Sequence, residues 1–205
     1  MGNKNIRAIL FDFGGVLAEE GFRNGLIKLA TEQGLDAGTM PKQAMQAVYD
    51  SGFVLGQGTA TDFWELLRKR TGVTGEDDTL TQTILSGFII RPWMIELVKH
   101  LRGAGYITGI LSDQTHWLDR LNEKYQFYVL FDKVYNSYYL GKGKQDPSLF
   151  NDVAVDLKMS AFQILFVDDD AGNVARARDA GWQTIYYTDQ KSFIKELQKY
   201  GIMLY

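Results

Sequence analysis

The stretch of sequence that decides the fold lies near the start of the chain and reads AILFDFGGVL over residues 8–17. Residues 6–11 are almost all apolar, and a short apolar run is typical of a strand buried on both faces of a parallel sheet. Asp12 follows at its carboxyl end, where a carboxylate is costly to bury unless it is paired or bound to a metal. Gly14 and Gly15 allow a sharp turn and close approach of the backbone to a ligand. On this stretch alone, an ordinary strand and turn with Asp12 as a local cap is an equally good interpretation.

The composition is that of a folded chain. Of the 205 residues, 45% are hydrophobic and 13% are aromatic, which is enough to build a substantial core in one large domain or two small ones. The net charge of -3 and the isoelectric point near 5.4 provide no general attraction to nucleic acids or anionic membranes. We therefore expect neither nucleic acid nor a membrane among the partners of this protein.

The sequence also limits the compartment and the kinds of metal site. It contains no cysteine, so neither a disulfide framework nor a thiolate metal site can form. It has no apolar run of about 18 residues, the length that a membrane-spanning helix needs. Residues 1–7 lead directly into the first predicted strand, and we expect no signal peptide there. These features together predict a cytoplasmic protein.

A long helical block follows the first strand and extends to about residue 88. Apolar residues at helical spacing predict four helices, which begin near Gly21, Pro41, Asp62 and Asp77. Asp62 and Glu65 stand three residues apart, the spacing of a capping pair at the start of the third helix. About 70 residues with four helices and no strand signal match the size of a small helical bundle.

From residue 91 onward, strand and helix patterns alternate. Further strands are predicted within residues 106–111, 129–135, 164–167 and 184–187, with helical patterns between and after them. This alternation predicts an α/β fold with a doubly wound parallel sheet, into which the helical block is inserted. We therefore expect an α/β core formed by residues 1–17 and 89–205, and a helical cap formed by residues 18–88.

Polar side chains stand at or just after the carboxyl ends of four predicted strands: Asp12, Ser112, the lysines of Lys142-Gly143-Lys144, and Asp168 with Asp169. Because the carboxyl ends of parallel strands share one edge of the sheet, these groups can converge. Two or three carboxylates without His or Cys ligands make a hard oxygen site that suits Mg²⁺. A hydroxyl, a lysine and backbone amides can hold an anion, and a free carboxylate can attack a phosphoryl group that a metal binds.

The order of these motifs resembles that of the haloacid dehalogenase superfamily. The resemblance rests on Asp12-Phe13-Gly14-Gly15-Val16-Leu17, Leu111-Ser112-Asp113, Gly143-Lys144-Gln145-Asp146-Pro147 and Phe166-Val167-Asp168-Asp169, with Asn173, Ala180 and Gly181-Trp182 beyond them. Each motif alone is weak, but four in this order with this topology are specific. The motifs cover the whole chain, and the helical insertion resembles the C1 cap of the family. The last motifs are most similar to small sugar-phosphate phosphatases of the α-glucose-1-phosphate type.

The resemblance implies a role for each matching residue. Asp12 would be the catalytic nucleophile, and the cofactor would be Mg²⁺. The metal ligands would be Asp12, the backbone carbonyl of Gly14, Asp168 and Asp169. The residues that bind the phosphoryl group would be Ser112, Lys144, Asp113 and Gly15, and among these Ser112 and Lys144 would also take part in catalysis.

The resemblance also implies an activity. We expect a Mg²⁺-dependent phosphomonoester hydrolase that acts on a small phosphorylated metabolite through an aspartyl-phosphate on Asp12, as a monomer or a homodimer. The first alternative is hydrolysis of a carbon–halogen bond by the same aspartate, as in 2-haloacid dehalogenases. The second is a weakly active member of the fold that serves as a binding or regulatory protein.

One residue departs from the pattern of the family's phosphatases. They typically carry a second Asp two residues after the nucleophile, which protonates the leaving oxygen and later activates water, and this chain has Gly14 there. Loss of a general acid/base costs about 10²–10⁴-fold in rate. Haloacid dehalogenases also lack that Asp, because a halide needs no proton, but they usually lack paired acids such as Asp168 and Asp169. Glu19 or Glu20 could supply the acid, although solvated linker charges are the better interpretation of both.

Several other residues have an ordinary structural interpretation. Lys142 competes with Lys144 for its role, and the Asp146-Pro147 pair that follows favours Lys144. Asp170 is expected to cap the helix after it. His116 and Trp117 could line the pocket, but we favour positions outside it for both. The aromatic residues of the insertion are expected in its hydrophobic core rather than around a substrate: Phe53, Phe63, Trp64 and Phe88.

Overall fold

Five parallel strands form one sheet in the order β3-β2-β1-β4-β5. The strands are β1 (Ala8–Phe11), β2 (Ile107–Ser112), β3 (Lys133–Asn136), β4 (Ile164–Asp168) and β5 (Gln183–Tyr186). The computed structural model describes residues 5–203. Residues 1–4, on which most of the signal-peptide prediction rests, and residues 204–205 lie outside the described residues.

The central strand β1 pairs with β2 on one side and with β4 on the other. All four of its residues are completely buried, and they alternate between the two faces of the sheet. Ile9 and Phe11 pack into one hydrophobic cluster, whereas Ala8 and Leu10 pack into a second. A core on each face is what a doubly wound sheet requires, so the predicted fold class is confirmed.

Helices cover both faces of the sheet and fill the insertion between β1 and β2. They are α1 (Gly21–Glu32), α2 (Met40–Asp50), α3 (Ala60–Thr71), α4 (Asp77–Ser86), α5 (Pro92–Gly103), α6 (Trp117–Tyr125), α7 (Ser137–Leu140), α8 (Ser148–Leu157), α9 (Ala171–Asp179) and α10 (Gln190–Lys199). The helices α1–α4 begin within about two residues of their predicted starts, the usual uncertainty of helix ends. Among the described residues, no helix has both the length and the apolar character that crossing a membrane demands.

One local prediction is wrong, and one short helix was not predicted. The cap of α3 is Thr59, whose hydroxyl accepts from the Asp62 amide at 3.1 Å while the Asp62 carboxylate accepts from the Thr59 amide at 2.8 Å. Asp62 is therefore the third helical residue and not the cap, so the proposed pair with Glu65 does not form. The short helix α7 was not expected, because its start depends on the Asn136 side chain, which accepts from the Tyr138 amide at 3.0 Å.

Two linkers join the helices α1–α4 to the sheet, and these linkers pair with each other. Ala18 in the first linker forms an antiparallel bridge with Ile90 in the second. Arg91 follows this bridge, and its guanidinium donates to the carbonyl of Gly15 at 2.5 Å. The predicted boundaries of a cap over residues 18–88 fall at this paired crossing, and the division into two domains remains a prediction.

Aromatic packing joins the helical insertion to the α/β part of the chain. Trp117 at the start of α6 packs against three rings of the insertion, with centroid distances of 5.3 Å to Phe53, 5.8 Å to Phe63 and 6.1 Å to Trp64. All four side chains are buried, and the Trp64 indole donates to the Thr81 hydroxyl at 3.1 Å. The insertion therefore lies on the sheet edge as a packed layer that shares its core with α6.

The close contact of α1 with α4 leads to a stability prediction. A Cβ at Gly25 would lie 2.5 Å from the Ile84 backbone, so Gly25→Ala must force these helices apart, and we expect a loss of about 1–3 kcal/mol in the free energy of unfolding. Gly103 is the matched control, because a Cβ there meets no atom within 4 Å and alanine favours a helix. Urea denaturation of both variants tests this, and equal stability of the two would contradict the packing described here.

Candidate active site

Four polar side chains meet at the edge of the sheet formed by the carboxyl ends of its central strands. Asp12 follows β1, Ser112 ends β2 and Asp168 ends β4. Lys144 comes from the loop between α7 and α8. Their side chains are nearly or completely buried, with Asp12 the most exposed at 9%. Buried charges persist only when they are paired, and these groups pair with one another.

Asp12 is held by three donors. The Ser112 hydroxyl donates to Oδ1 at 2.5 Å, and the Phe13 amide donates to the same oxygen at 2.7 Å. The Lys144 ammonium lies 2.9 Å from the other oxygen, Oδ2. These contacts fix the carboxylate in one orientation at the floor of a cavity, with a hydroxyl and an ammonium beside it.

Lys144 lies between two carboxylates. Its Nζ is 2.9 Å from Asp12 and 2.7 Å from Asp168. Its backbone is also fixed, because its amide donates to Asp113 Oδ1 at 2.9 Å and its carbonyl accepts from Arg176 Nε at 2.8 Å. The rival residue Lys142 instead binds Asp152 at 2.6 Å near the surface.

Asp168 and Asp169 lie beside Asp12. One oxygen from each of the three carboxylates can be chosen so that all three atoms lie within 4.8 Å of one another. The Asp168 carboxylate accepts from the Asp170 amide at 2.7 Å, and Asp170 in turn caps α9, as predicted. Asp169 packs against Gly15, where φ is +77° and a Cβ would lie 1.9 Å from the carboxylate. Only glycine fits at that position.

The charges at this edge of the sheet favour a bound cation. Three carboxylates and one ammonium leave a net charge of -2 in a mostly buried place. Oxygen ligands of this kind, without His or Cys, suit Mg²⁺. The residues present therefore fit the cofactor that the sequence predicts.

Burial is the main influence on the protonation of these groups. It raises the pKa of Asp12, against the opposing effect of the Lys144 ammonium. Burial and the charge of Asp12 raise the pKa of Asp168 to about 6. Burial by itself would lower the pKa of Lys144, but the charges of Asp12 and Asp168 raise it, so the lysine is an ammonium ion at neutral pH.

A cavity of about 400 Å³ opens above Asp12, between the sheet edge and the insertion. Its floor contains Asp12, Gly14, Ser112, Asp113, Lys144 and Asp169. Much of its remaining wall is apolar and comes from the insertion, the linkers and the start of α6: Phe22, Met45, Val48, Val54, Phe88 and Trp117. Tyr49 of α2 also lines the cavity and donates to Asp113 Oδ2 at 2.9 Å, which links the insertion to the residue that holds the Lys144 amide.

The structure brings six of the eight predicted site residues into the cavity wall. Of the other two, Asp168 lies completely buried against Lys144, and Gly15 packs against Asp169. Phe88 and Trp117 pack in the hydrophobic core, as expected, but both also line the cavity, which was not expected. The spacing of apolar residues predicts which side chains are buried, but not what they are buried against. Nothing in the sequence therefore distinguished an aromatic residue in the core from one at the cavity wall.

Glu19 and Glu20 are adjacent in sequence but have different surroundings. Glu19 is exposed and binds the Arg91 guanidinium with both oxygens, at 3.0 and 3.1 Å. Glu20 is half-buried and lines the cavity, and burial raises the pKa of its carboxyl. The interpretation as solvated charges thus fits Glu19 and does not fit Glu20. His116 is absent from the cavity wall, as expected, and packs between Phe53 and Tyr138.

Comparison with known proteins identifies the family. The sequence model of one family, haloacid dehalogenase-like hydrolase, matches residues 6–181. The chain therefore belongs to the haloacid dehalogenase-like hydrolases and is an enzyme. The predicted resemblance is confirmed at this level.

Relatives with curated names cover the chain to different extents. The chain is 27% identical over 200 residues to sesquiterpene phosphatase astK of Aspergillus oryzae, which spans 94% of this chain and 95% of that protein. It is 28% identical over 129 residues to bifunctional epoxide hydrolase 2 of Rattus norvegicus, covering 60% of this chain and 23% of that protein. The match thus spans nearly all of the fungal phosphatase but less than a quarter of the epoxide hydrolase.

Solved structures share the fold over most of their length. A predicted HAD-like family hydrolase from Porphyromonas gingivalis is 25% identical with a TM-score of 0.72, covering 95% of this chain and 97% of that one. A HAD family enzyme from Bacteroides thetaiotaomicron, in complex with magnesium and inorganic phosphate, is 23% identical with a TM-score of 0.63, covering 90% and 94%. L-2-haloacid dehalogenase from Xanthobacter autotrophicus is 18% identical with a TM-score of 0.65, covering 95% and 83%.

The pairing of Lys144 leads to a second stability prediction. Lys144→Met leaves Asp12 and Asp168 buried without their counter-ion, and we expect a loss of about 3–5 kcal/mol in the free energy of unfolding at neutral pH in EDTA. Lys142→Met, which removes a more exposed ion pair, should cost less than about 1 kcal/mol.

The pH dependence of this loss has a defined sign. Asp12 and Asp168, left unpaired in the variant, have raised pKa values in the folded state. Between about pH 8 and about pH 5.5, the folded variant therefore binds more protons than its unfolded chain. The deficit of Lys144→Met relative to the wild type should therefore shrink between about pH 8 and about pH 5.5. Denaturant unfolding at both pH values measures it, and a deficit that grows on acidification would contradict this account of the charges.

Proposed function

We propose that this enzyme is a Mg²⁺-dependent phosphomonoesterase that hydrolyses a small phosphorylated metabolite through an aspartyl-phosphate on Asp12. The observation that carries the proposal is the carboxylate cluster of Asp12, Asp168 and Asp169, with Lys144 and Ser112 against the same aspartate. A carboxylate beside a hydroxyl, an ammonium and a hard-cation site suits attack on phosphorus better than any other reaction of this residue set.

Asp12 has the position of a nucleophile in this proposal. Ser112 Oγ and Lys144 Nζ each lie within one hydrogen bond of its carboxylate, so both reach the oxygens of a phosphoryl group bonded to it. Their donors balance the negative charge that gathers on those oxygens in the transition state. Asp113 acts indirectly in this proposal, because its carboxylate accepts from the Lys144 amide and so holds the lysine in position.

Asp12, Asp168, Asp169 and the backbone carbonyl of Gly14 are the groups that would hold Mg²⁺. When bound, the cation supplies Lewis-acid stabilisation of the phosphoryl oxygens and relieves the repulsion between Asp12 and the dianionic substrate. The single ammonium of Lys144 cannot balance three carboxylates, so the cluster retains a net charge of -2. The cation and the lysine therefore have complementary roles in this proposal.

Two relatives support phosphoryl transfer. The fungal protein that matches over nearly the full length is named a sesquiterpene phosphatase, and the Bacteroides enzyme of the same fold binds magnesium and inorganic phosphate. Helices α1–α4 serve as a cap in this proposal, because they cover the cavity above Asp12 and contribute Tyr49 to its wall. Water exclusion by such a cap strengthens the electrostatic contacts within the site.

Hydrolysis of a carbon–halogen bond is the second candidate. It is favoured by Gly14, which offers no proton donor next to the nucleophile, and by the shared fold with a haloacid dehalogenase. That reaction needs no cation, and the three clustered carboxylates would serve no purpose in it. On the strength of the carboxylate cluster, we therefore prefer the phosphatase to this second candidate.

The central experiment measures phosphate release from p-nitrophenyl phosphate and a panel of phosphate monoesters, with Mg²⁺ and with EDTA. We expect release that depends on Mg²⁺ and falls by at least about 10³-fold in Asp12→Asn, because the amide is no nucleophile. Halide release from 2-haloacids that continues in EDTA would establish the dehalogenase instead. Tight Mg²⁺ binding without turnover of either substrate class would favour a binding or regulatory protein.

The apolar wall leads to a prediction on substrate preference. Six apolar side chains face the space where the organic part of the substrate would lie, among them Phe22, Val48 and Phe88. We expect kcat/KM to be at least about tenfold higher for an apolar alkyl or aryl phosphate than for a sugar phosphate of similar size, because burying apolar surface adds binding energy. A preference for sugar phosphates would contradict this prediction. It would instead support the resemblance of the sequence motifs to small sugar-phosphate phosphatases.

A further inference from the structure

We propose that Glu20, at the junction of the first linker with α1, is the general acid and base of this enzyme. The inference rests on the proposed phosphatase function. A phosphate ester of an alcohol leaves as an alkoxide unless a proton reaches its ester oxygen, and transfer from a positioned acid is worth about 10²–10⁴-fold in rate. Gly14, the residue that faces the cavity next to Asp12 and Phe13, has no side chain to supply that proton.

The position of Glu20 meets the geometric requirement. A Cβ built on Gly14 points at Glu20, and its nearest neighbour is Glu20 Oε1 at 3.3 Å. The Glu20 carboxylate therefore occupies the space that a side chain at Gly14 would enter. In an in-line displacement, the leaving oxygen lies opposite Asp12 and so faces the insertion, from which Glu20 extends.

The other acids of the cavity wall are already engaged. Asp113 accepts from the Lys144 amide and the Tyr49 hydroxyl, and Asp170 caps α9. Asp12 and Asp169 belong to the carboxylate cluster. Glu20 Oε2 accepts only the Arg23 amide at 3.2 Å, and within residues 5–203 Oε1 accepts no hydrogen bond. Among the acids that line the cavity, Glu20 thus combines an oxygen that accepts no hydrogen bond within the described residues with a position directly beside Gly14.

The backbone holds Glu20 in place from both sides. Ala18, two residues before it, bridges to Ile90, and the Glu19 amide donates to the Ile89 carbonyl at 2.9 Å. Gly21, the residue after it, packs so closely on Phe88 that a Cβ would lie 2.3 Å from the ring. The carboxylate is therefore placed by the linker crossing and not by a mobile loop.

The proton and electron pairs balance over two steps. In the first, an Asp12 oxygen bonds to phosphorus, the ester P–O bond breaks, and the leaving oxygen takes the proton of the Glu20 carboxylic acid to become an alcohol. In the second, the Glu20 carboxylate takes a proton from water as the water oxygen bonds to phosphorus. The bond from phosphorus to Asp12 then breaks and releases phosphate, which returns Asp12 to the carboxylate and Glu20 to the acid.

The test compares Glu20→Gln with the wild type on p-nitrophenyl phosphate and phenyl phosphate. Because kcat/KM reports only the steps through formation of the phosphoenzyme, we expect it to fall by less than about tenfold for p-nitrophenyl phosphate, whose leaving group needs little help. For phenyl phosphate it should fall by about 10²-fold or more. With p-nitrophenyl phosphate, the variant should also release a burst of nitrophenolate and accumulate phosphoenzyme visible by intact mass, because its second step lacks a base.

Two further variants separate chemistry from structure. Glu19→Gln is the matched control, since Glu19 faces Arg91, and its kcat/KM should stay within about threefold of the wild type. Gly14→Asp in a Glu20→Ala background returns a carboxylate to the space that the shortened side chain leaves, where the nearest atoms to a Cβ at Gly14 are side-chain atoms at 3.3 to 3.7 Å. It should recover at least about tenfold in kcat/KM for phenyl phosphate.

The outcomes distinguish the two levels of the proposal. A wild type without Mg²⁺- and Asp12-dependent phosphate release overturns the proposed function, and the role of Glu20 with it. If the wild type is active, equal losses in Glu20→Gln for both esters without accumulated phosphoenzyme would show that Glu20 only caps α1. Full activity of Glu20→Gln would exclude the role outright. An unchanged melting temperature of each variant, to within about 2 °C, shows that folding is not the cause.

Discussion

The ion pair of Lys144 with Asp12 and Asp168 is the interaction on which the rest of the site depends. Two carboxylates at the ends of neighbouring strands repel each other in a place that water hardly reaches, and the buried ammonium lies within 3 Å of both. Its position is set by other residues, because Asp113 fixes its amide and Arg176 its carbonyl. The lysine balances the carboxylates only in part, since a third carboxylate leaves the cluster anionic. That remaining charge is what a cation would satisfy.

The sheet supplies this arrangement, and the linkers complete it. Parallel strands β1 and β4 end side by side, which brings Asp12 and Asp168 together although about 156 residues separate them in the chain. The loop after Asp12 is fixed by Arg91, whose guanidinium binds the Gly15 carbonyl, and by the packing of Gly15 on Asp169. The same arginine follows the crossing of the linkers. The position of the loop after Asp12 is therefore tied to the position of the helical insertion.

The sequence alone was sufficient for what depends on short-range pattern. Apolar runs that end in Asp12 or Asp168 predicted strands with polar carboxyl ends, and the parallel topology then implied that these ends meet. What sequence could not provide was the direction of side chains set by distant contacts. Thr59 was missed as the N-cap of α3 because Asp has an equal intrinsic preference for the N-cap position. Phe88 was assigned to the core alone because its burial does not reveal the cavity beside it. Such distinctions depend on tertiary packing, which periodicity does not record.

Glu19 and Glu20 illustrate the same limit and what it means for catalysis. They are identical in chemistry and adjacent in sequence, yet the extended crossing of the linkers turns one toward Arg91 and the other toward the space above Gly14. A glycine near the nucleophile thus need not remove a function, because it opens room for a carboxylate from another segment. With Glu20 as the acid, the proton donor belongs to the insertion while the nucleophile belongs to the sheet. Proton transfer would then require the two parts to be correctly docked, which couples the chemistry to the placement of the cap.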